Sequence, residues 1–382
     1  MGILRIYLAL CVVAAHSTRI AFWPMHTGHE AVQIFFMISG FYMELVYDKY
    51  AGVREFYTSR ALRIFLPYWV VLAIVAGVSA LLGWLSGNWA ELAPFGHFRE
   101  TNGVAGVTLA GISNVTILLQ DALMFFNDSG GGRAFTSDFR AAANPLWYFL
   151  LIPQAWSISV ELQFYLMVPL LAKLRDKWLV TILLLSMAAR LYVYEGLGWK
   201  HDPWTSRFTP FEISFFLLGI LACRFWKRRR SRFDRLAVYG ESNRILRYSG
   251  IVVFCIASKL VVIGLSQWLD RAYVDLAMSA SWALVLPALF SLSRKDGLDR
   301  WIGELSYPVY LVHFFIIGLL ELALHQGLLN FAAEPLSRQL NPWTGTLAAV
   351  LSISVAIVLN HTVFAGLEKL RHRKIAAATP SQ

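Results

Sequence analysis

Residues 2–23 read GILRIYLALCVVAAHSTRIAFW, an apolar run that carries Arg5 near its start and His16 inside it. The run is long enough to span a bilayer. Eleven positions separate Arg5 from His16, so both side chains fall on nearly the same helix face, about 16 Å apart along the axis. If Arg5 lies at one membrane surface, His16 lies near the bilayer midplane, where an ionisable group is costly and usually functional. The run lacks a small-residue cleavage site, so we interpret it as a retained first span.

The composition is that of an integral membrane protein. Hydrophobic residues make up 57% of the 382 residues and charged residues 15%, whereas soluble domains carry about 25% charged residues. The net charge of +10 is explained by basic residues in cytoplasmic loops, so we expect membrane lipids and no nucleic acid as partners. Cys11, Cys223 and Cys255 lie in apolar runs and are interpreted as small hydrophobic residues, with no disulfide or metal site.

Ten apolar segments are long enough to span, which predicts an all-α membrane protein of about ten transmembrane helices. Their approximate ranges are 3–23, 30–47, 64–85, 156–172, 178–195, 207–223, 248–266, 272–291, 303–325 and 344–366. With both termini in the cytoplasm, the inner segments hold 24 of the 34 Lys and Arg residues. This strong bias favours that orientation.

One further apolar run, ISNVTILLQDALMFF at 112–126, does not fit as an eleventh span. Counting it would invert every later loop and put the KRRRSR run on the outside. We therefore expect a surface-lying or re-entrant helix within a long outer segment, 86–155. The transmembrane domain is assigned to 1–370, and residues 371–382 are expected to form a disordered cytoplasmic tail.

Several polar side chains lie within the predicted spans. In the second span Ser39 can hydrogen-bond a partner such as His16, and Gly40 allows a neighbouring helix to approach closely. Packing alone explains both residues equally well. Glu44 nears the inner surface, where pairing with a loop arginine is the simplest interpretation.

Two arginines, Arg60 and Arg63, project three residues apart from one face of an inner amphipathic helix. Two guanidinium groups held in this way match phosphate or pyrophosphate oxygens. Basic residues before a span are, however, also expected from topology alone.

Two later spans carry ionisable side chains at depth. Glu161 and Tyr165 follow Ser157 at intervals of four, forming a polar stripe on one helix face. His313 lies about ten residues from the inner end of the ninth span, at a depth similar to that of His16. A shared cavity for the two histidines and a purely structural role for His313 are both compatible with this spacing.

Four segments form a pattern in chain order, and two further ones, at 215–221 and 304–314, support it. The six are Arg5 with His16 after ten intervening residues, QIFFMISGF at 33–41, Arg60-x-x-Arg63 within FYTSRALRIFLPYW, WSISVELQFYLMVPL at 156–170, FFLLGIL at 215–221 and ELSYPVYLVHF at 304–314. Together these segments resemble the membrane-bound acyltransferase 3 family, which O-acylates sugars and other exported molecules. The sequence departs from the family at Ser59, where an arginine is frequent, and at Leu162, where a second glutamate is common. Some relatives carry an esterase-like soluble domain, and we expect this chain to be the stand-alone form.

The resemblance implies transfer of an acyl group, first of all acetyl, from cytoplasmic acyl-CoA to a hydroxyl of an exported or lipid-linked glycan at a bacterial inner membrane. It implies that Arg5, Arg60 and Arg63 bind the donor and that His16 acts as base, with Glu161 orienting His16 or binding the acceptor. Ser39, Tyr165 and His313 are expected to support the site, without a metal. Direct transfer and an acyl-enzyme both stay open, as does the oligomeric state. The alternatives are a small lipophilic acceptor such as a macrolide, or a transporter of a glycan or small acid.

Overall fold

The computed structural model describes residues 1–17, 20, 25–97, 103–129, 132–325 and 342–367. The α-helices are α1 (Gly2–His16), α2 (Gly28–Val46), α3 (Val53–Ser86), α4 (Gly103–Thr116), α5 (Gln120–Leu123), α6 (Trp156–Leu171), α7 (Asp176–Leu191), α8 (Thr209–Arg228), α9 (Arg230–Ser242), α10 (Arg244–Leu265), α11 (Arg271–Ser293), α12 (Gly297–His325) and α13 (Pro342–Leu359). Shorter helical turns cover Tyr47–Lys49, Ala90–His97, Leu146–Phe149, Pro153–Ala155, Tyr192–Gly196 and Asn360–Phe364. Two antiparallel strands, β1 (Phe126–Ser129) and β2 (Gly132–Phe135), pair with Phe126 opposite Phe135.

All ten predicted spans coincide with helices. Seven helices in the described part of the chain are long and apolar enough to cross a membrane. These seven span segments are Val53–Ser86, Asp176–Gly196, Thr209–Arg228, Arg247–Leu265, Arg271–Ser293, Gly297–Leu324 and Thr344–Leu367. The other three predicted spans correspond to α1, α2 and α6, which are shorter or more polar. The prediction of an all-α integral membrane protein is confirmed.

The first helix is shorter than the 3–23 span expected from hydropathy, because α1 ends at His16. Two side chains at this end of the helix contact carbonyl groups one turn earlier. The His16 ring lies with Nδ1 2.9 Å from the Val12 carbonyl, and the Ser17 hydroxyl donates to the Val13 carbonyl. His16 is therefore the terminal residue of α1 rather than a mid-helix residue.

The stretch 112–126 is not one continuous helix. Helix α4 ends at Thr116, and Ile117 and Leu119 both adopt left-handed backbone angles, with φ near 65°. A left-handed residue cannot continue a right-handed helix, so the chain turns before the short helix α5. The strand β1 then begins at Phe126.

Asn114 in α4 connects this helix by hydrogen bonds to α3 and to residues 149–151. Its side chain donates to the Phe149 carbonyl at 2.7 Å and accepts from the Leu151 amide at 2.8 Å, while its own carbonyl accepts from the Tyr68 hydroxyl. Asn114 is buried, so the asparagine of the Asn-Val-Thr sequence at 114–116 has a structural role through these hydrogen bonds.

The chain divides into two compact units. The first consists of Met1–Asp48 and Phe215–Val363, and the second contains Lys49–Ser214 together with the segment from Phe364. The predicted tail at 371–382 lies outside the described residues.

Close backbone contacts hold the first unit together. A Cβ atom at Gly40 would lie 2.1 Å from the Phe216 carbonyl oxygen, and one at Gly219 would lie 1.9 Å from the Met37 carbonyl oxygen. The interpretation of Gly40 as the point where a neighbouring helix approaches is therefore confirmed, and that helix is α8. Near the start of α1, the carboxylate of Asp299 accepts from the Gly2 and Ile3 amides at 2.6 and 2.9 Å.

Other expectations about packing hold as well. Glu44 pairs with Arg224 at 3.3 Å and with Lys227 at 3.0 Å, which agrees with the predicted pairing of Glu44 with a basic residue. The three cysteines are buried and free.

Candidate active site

The predicted site residues fall into two groups, one in each unit. Arg5, His16, Ser39 and His313 belong to the first unit. The remaining four, Arg60, Arg63, Glu161 and Tyr165, belong to the second.

In the first unit the two histidines from opposite ends of the chain meet. His16 lies exposed at the end of α1, and His313 in α12 is fully buried. The Nε2 atom of His313 lies 3.3 Å from Nδ1 of His16, and the ring centroids are 5.1 Å apart. Phe314 presents an edge-on contact to the His16 ring at 5.6 Å.

A backbone carbonyl beside each ring favours one position for the ring proton. A carbonyl oxygen only accepts hydrogen bonds. Nδ1 of His16 lies 2.9 Å from the Val12 carbonyl, and Nδ1 of His313 lies 2.7 Å from the Tyr310 carbonyl. Both Nδ1 atoms therefore carry the proton in the neutral rings, and both Nε2 atoms carry a lone pair.

Arg5 and Ser39 lie toward the other end of the same unit. Arg5 occupies the second turn of α1 and is half-buried. Gly28 at the start of α2 packs against Ala15, and Ser39 follows it by eleven residues, or about 16 Å along the helix. The partner that the structure gives His16 is accordingly His313, in place of the suggested Ser39.

In the second unit Arg60 lies between two tyrosines. Its guanidinium group donates to the Tyr50 hydroxyl and lies 5.7 Å from the centre of the Tyr50 ring. The Tyr165 hydroxyl also lies near the guanidinium group, and it donates to Glu161 at 2.6 Å. The stripe predicted on α6 thus continues, through Tyr165, to Arg60.

Arg60 and Arg63 differ in their surroundings. Arg60 is half-buried, its Nε atom has no hydrogen-bond partner, and no carboxylate among the described residues pairs with it. Arg63 is exposed. A half-buried guanidinium group that has only hydroxyl partners retains an uncompensated positive charge, and this arrangement favours an anionic ligand.

A buried ionic cluster in the first unit has no counterpart among the sequence-based predictions. Glu30 accepts from Lys259 at 3.0 Å and from His26 at 2.9 Å, and the other ring nitrogen of His26 lies 2.9 Å from the Ser258 hydroxyl. The available signal was an acidic residue at the start of an apolar run. Its partner Lys259 lies far along the chain, and no spacing rule connects the two.

A second missed feature is the buried carboxylate of Asp121 in the second unit. It accepts from Ser159 at 2.6 Å, from Gln163 at 2.9 Å and from Thr209 at 3.4 Å. All three donors are uncharged, and they tie α5 to α6 and to the start of α8. In the described part of the chain no group of three or more His, Cys, Asp or Glu side chains is arranged to hold a metal ion.

Comparison with known proteins gives one family and two relatives. The family model described as an acyltransferase domain, of the acyltransferase 3 type, matches residues 1–361. The chain is similar to Nodulation protein 10 of Rhizobium leguminosarum bv. viciae, with 26% identity over 76% of this chain and 72% of that protein. It is also similar to an uncharacterized protein of Aquifex aeolicus, with 24% identity over 60% of this chain and 93% of that protein. No solved structure shows a significant match.

Proposed function

Because the chain belongs to the acyltransferase 3 family, we propose that it moves an acyl group from acyl-CoA to a hydroxyl of an exported or lipid-linked glycan. Family membership makes the chain a multi-pass membrane acyltransferase. The coenzyme A donor, the acetyl group as the first choice of acyl group, the glycan acceptor and the bacterial inner membrane are our proposal.

The observation that carries the proposal is the contact between Nδ1 of His16 and the Val12 carbonyl. The Nδ1 proton is held by the Val12 carbonyl at 2.9 Å, so the lone pair is on Nε2. A neutral imidazole in this tautomer on an exposed ring is a suitable general base near neutral pH. Acyl transfer to a hydroxyl requires such a base, because a neutral hydroxyl is a weak nucleophile.

In the proposed transfer step, one proton moves to His16 and then to the leaving group. Nε2 of His16 takes the hydroxyl proton while the hydroxyl oxygen bonds to the thioester carbon. The bond from that carbon to sulfur then breaks, and the coenzyme A thiolate takes the proton back from the His16 imidazolium. The products are an ester and free coenzyme A. Attack by Nε2 on the thioester, giving an acyl-histidine that the hydroxyl resolves, uses the same atom and stays open.

Arg60 supplies the second requirement, a cation for the donor phosphates. The guanidinium group donates to the Tyr50 hydroxyl and lies near the Tyr165 hydroxyl, and no carboxylate of the described residues forms an ion pair with it. We assign Glu161 to orienting Tyr165, since their oxygens are 2.6 Å apart. Arg63 lies one turn beyond Arg60 on the same helix and is a second candidate for this anion; Arg5, in the first unit, is proposed separately as a donor-binding residue.

The main test replaces His16 by alanine. Purified wild-type protein should release free coenzyme A from acetyl-CoA only when a glycan acceptor is present, and His16→Ala should lower the rate at least about 100-fold, the usual contribution of a general base. His201→Ala is the matched control, because His201 is an exposed histidine in a turn. No acceptor-dependent release by the wild type across a broad donor and acceptor panel would refute the enzyme assignment and favour a transporter. A macrolide accepted in preference to every glycan would refute the acceptor class alone.

Donor binding is tested separately at Arg60. Arg60→Ala should raise the Michaelis constant for acetyl-CoA about tenfold or more, since charge-assisted hydrogen bonds contribute about 1.5–3 kcal/mol. Arg54→Ala is the control, because Arg54 is exposed in the first turn of the same helix. An effect on the acceptor constant alone would contradict phosphate binding.

A further inference from the structure

His313 is the only imidazole that the structure places against His16 among the described residues. Its side chain is 0% exposed, and Nδ1 donates to the Tyr310 carbonyl one turn earlier in α12 at 2.7 Å. Since that proton is committed to Tyr310, Nε2 of His313 presents a lone pair. This lone pair lies 3.3 Å from Nδ1 of His16.

The Nδ1 proton of His16 is therefore shared between two acceptors. One is the Val12 carbonyl of its own helix at 2.9 Å, and the other is Nε2 of His313 in α12 at 3.3 Å. A single carbonyl one turn away leaves an exposed ring at a helix end free to rotate out of the hydrogen bond. An acceptor on a neighbouring helix restricts this rotation of the His16 ring, and so does the edge-on contact with the Phe314 ring at 5.6 Å.

We propose that His313 is a positioning residue, which keeps His16 in the Nδ1–H tautomer and so directs its Nε2 lone pair to the acceptor hydroxyl. This inference rests on the proposed function. In the transfer step the hydroxyl proton moves to Nε2 of His16, and the Nδ1–H bond to His313 persists and strengthens because its donor is now charged. His313 stays neutral and takes up no proton. It fills the place of the third group that orients the base in nucleophile–base arrangements.

Two substitutions at 313 separate positioning from packing. His313→Leu fills the space without an acceptor, and His313→Gln offers an amide oxygen in place of Nε2. We expect His313→Leu to lower kcat about 10- to 100-fold with the donor KM unchanged, and His313→Gln to restore most of kcat. A residue needed only for packing would lower the yield of folded protein or the Tm, would leave kcat per folded molecule unchanged, and would gain nothing from the glutamine.

A measurement without turnover completes the test. Solid-state NMR of ¹⁵N-histidine-labelled protein reads the protonated ring nitrogen directly, and His16→Ala identifies the His16 signal by its loss. The wild type should show His16 protonated at Nδ1 alone, His313→Gln should keep that form, and His313→Leu should show a mixture of tautomers.

An unchanged tautomer in folded His313→Leu, or full kcat in that variant, overturns the positioning role while leaving the proposed function intact. Absence of acceptor-dependent turnover in the wild type refutes the proposed function instead, and the NMR result then still decides whether His313 sets the tautomer.

Discussion

Replacing Glu30 by glutamine tests the buried ionic cluster of the first unit. The Glu30 carboxylate is 4% exposed and lies 3.0 Å from the Lys259 ammonium and 2.9 Å from the His26 ring. Two unit charges 3.0 Å apart attract by about 5 kcal/mol at an effective dielectric constant of 20. Glutamine keeps the shape and one acceptor for His26, but it leaves the ammonium buried and uncompensated. Removing one partner of such a pair costs about 3–5 kcal/mol.

This cost is measurable as a thermal shift in detergent micelles. At about 2 °C per kcal/mol, Glu30→Gln should lower the Tm by about 6–10 °C, and Lys259→Met should do the same. The double variant should recover most of the loss, since a buried pair replaced by apolar or neutral groups is often close to neutral in stability.

The control is Glu195→Gln. Glu195 pairs with Lys200 at 3.3 Å, and both side chains are about 40% exposed. An exposed pair contributes about 0–1 kcal/mol. If Glu30→Gln and Lys259→Met add in the double variant, the two residues do not interact, and the assignment of the buried cluster is refuted.

Gly40 and Glu91 give two further predictions about the stability of the protein. Gly40→Ala puts a Cβ 2.1 Å from the Phe216 carbonyl, so the helices must separate at a cost of about 1–3 kcal/mol or more. In contrast, Gly77→Ala meets nothing within 4 Å and should leave the Tm unchanged or raise it; equal Tm values for the two alanine variants would contradict the close approach. Burial raises the pKa of Glu91 to about 7 from 4.5, so the folded state favours the protonated carboxyl and this group lowers stability as pH rises from about 4.5 through 7. Glu91→Gln should therefore raise the free energy of unfolding at pH 8 by at most about 3 kcal/mol, with a higher Tm, and should have little effect at pH 4.5. An equal shift in Tm at both pH values would exclude Glu91 titration as the cause.

The sequence predicts well those features that depend on periodic hydrophobicity and on patterns between residues close in sequence. Ten apolar runs give ten helices, because no unpaired backbone is tolerated in lipid. Gly40 indicates a close helix approach, because only glycine leaves room for a neighbouring backbone. The interval of four between Glu161 and Tyr165 predicts side chains that meet on one helix face, and their oxygens are 2.6 Å apart.

The features that it predicts poorly depend on partners that are distant in sequence or on local backbone reversals. Hydropathy does not detect the end of α1, because the apolar run resumes at Ile20 after the polar residues 17–19. The His16 ring and the Ser17 hydroxyl contact carbonyl groups one turn earlier at this end of the helix. The left-handed residues Ile117 and Leu119 are equally invisible, since neither is a glycine or asparagine. The partners of Arg60 include Tyr50, which lies outside the helix and follows no helical interval from it.

The charges of Glu30 in the first unit and of Arg60 in the second differ in a way that bears on function. Glu30 has Lys259 as a counter-ion, so its burial is compensated and a stability role accounts for it. Arg60 has hydroxyl partners and no carboxylate in the described part of the chain, so its partial burial is a cost that the protein's own groups leave uncompensated. Proteins keep such an unfavourable burial of a charged group at sites where a ligand supplies the opposite charge. The polyphosphate of coenzyme A is an anion of the right chemistry, and this contrast is the physical reason for assigning donor binding to Arg60 and a structural role to Glu30.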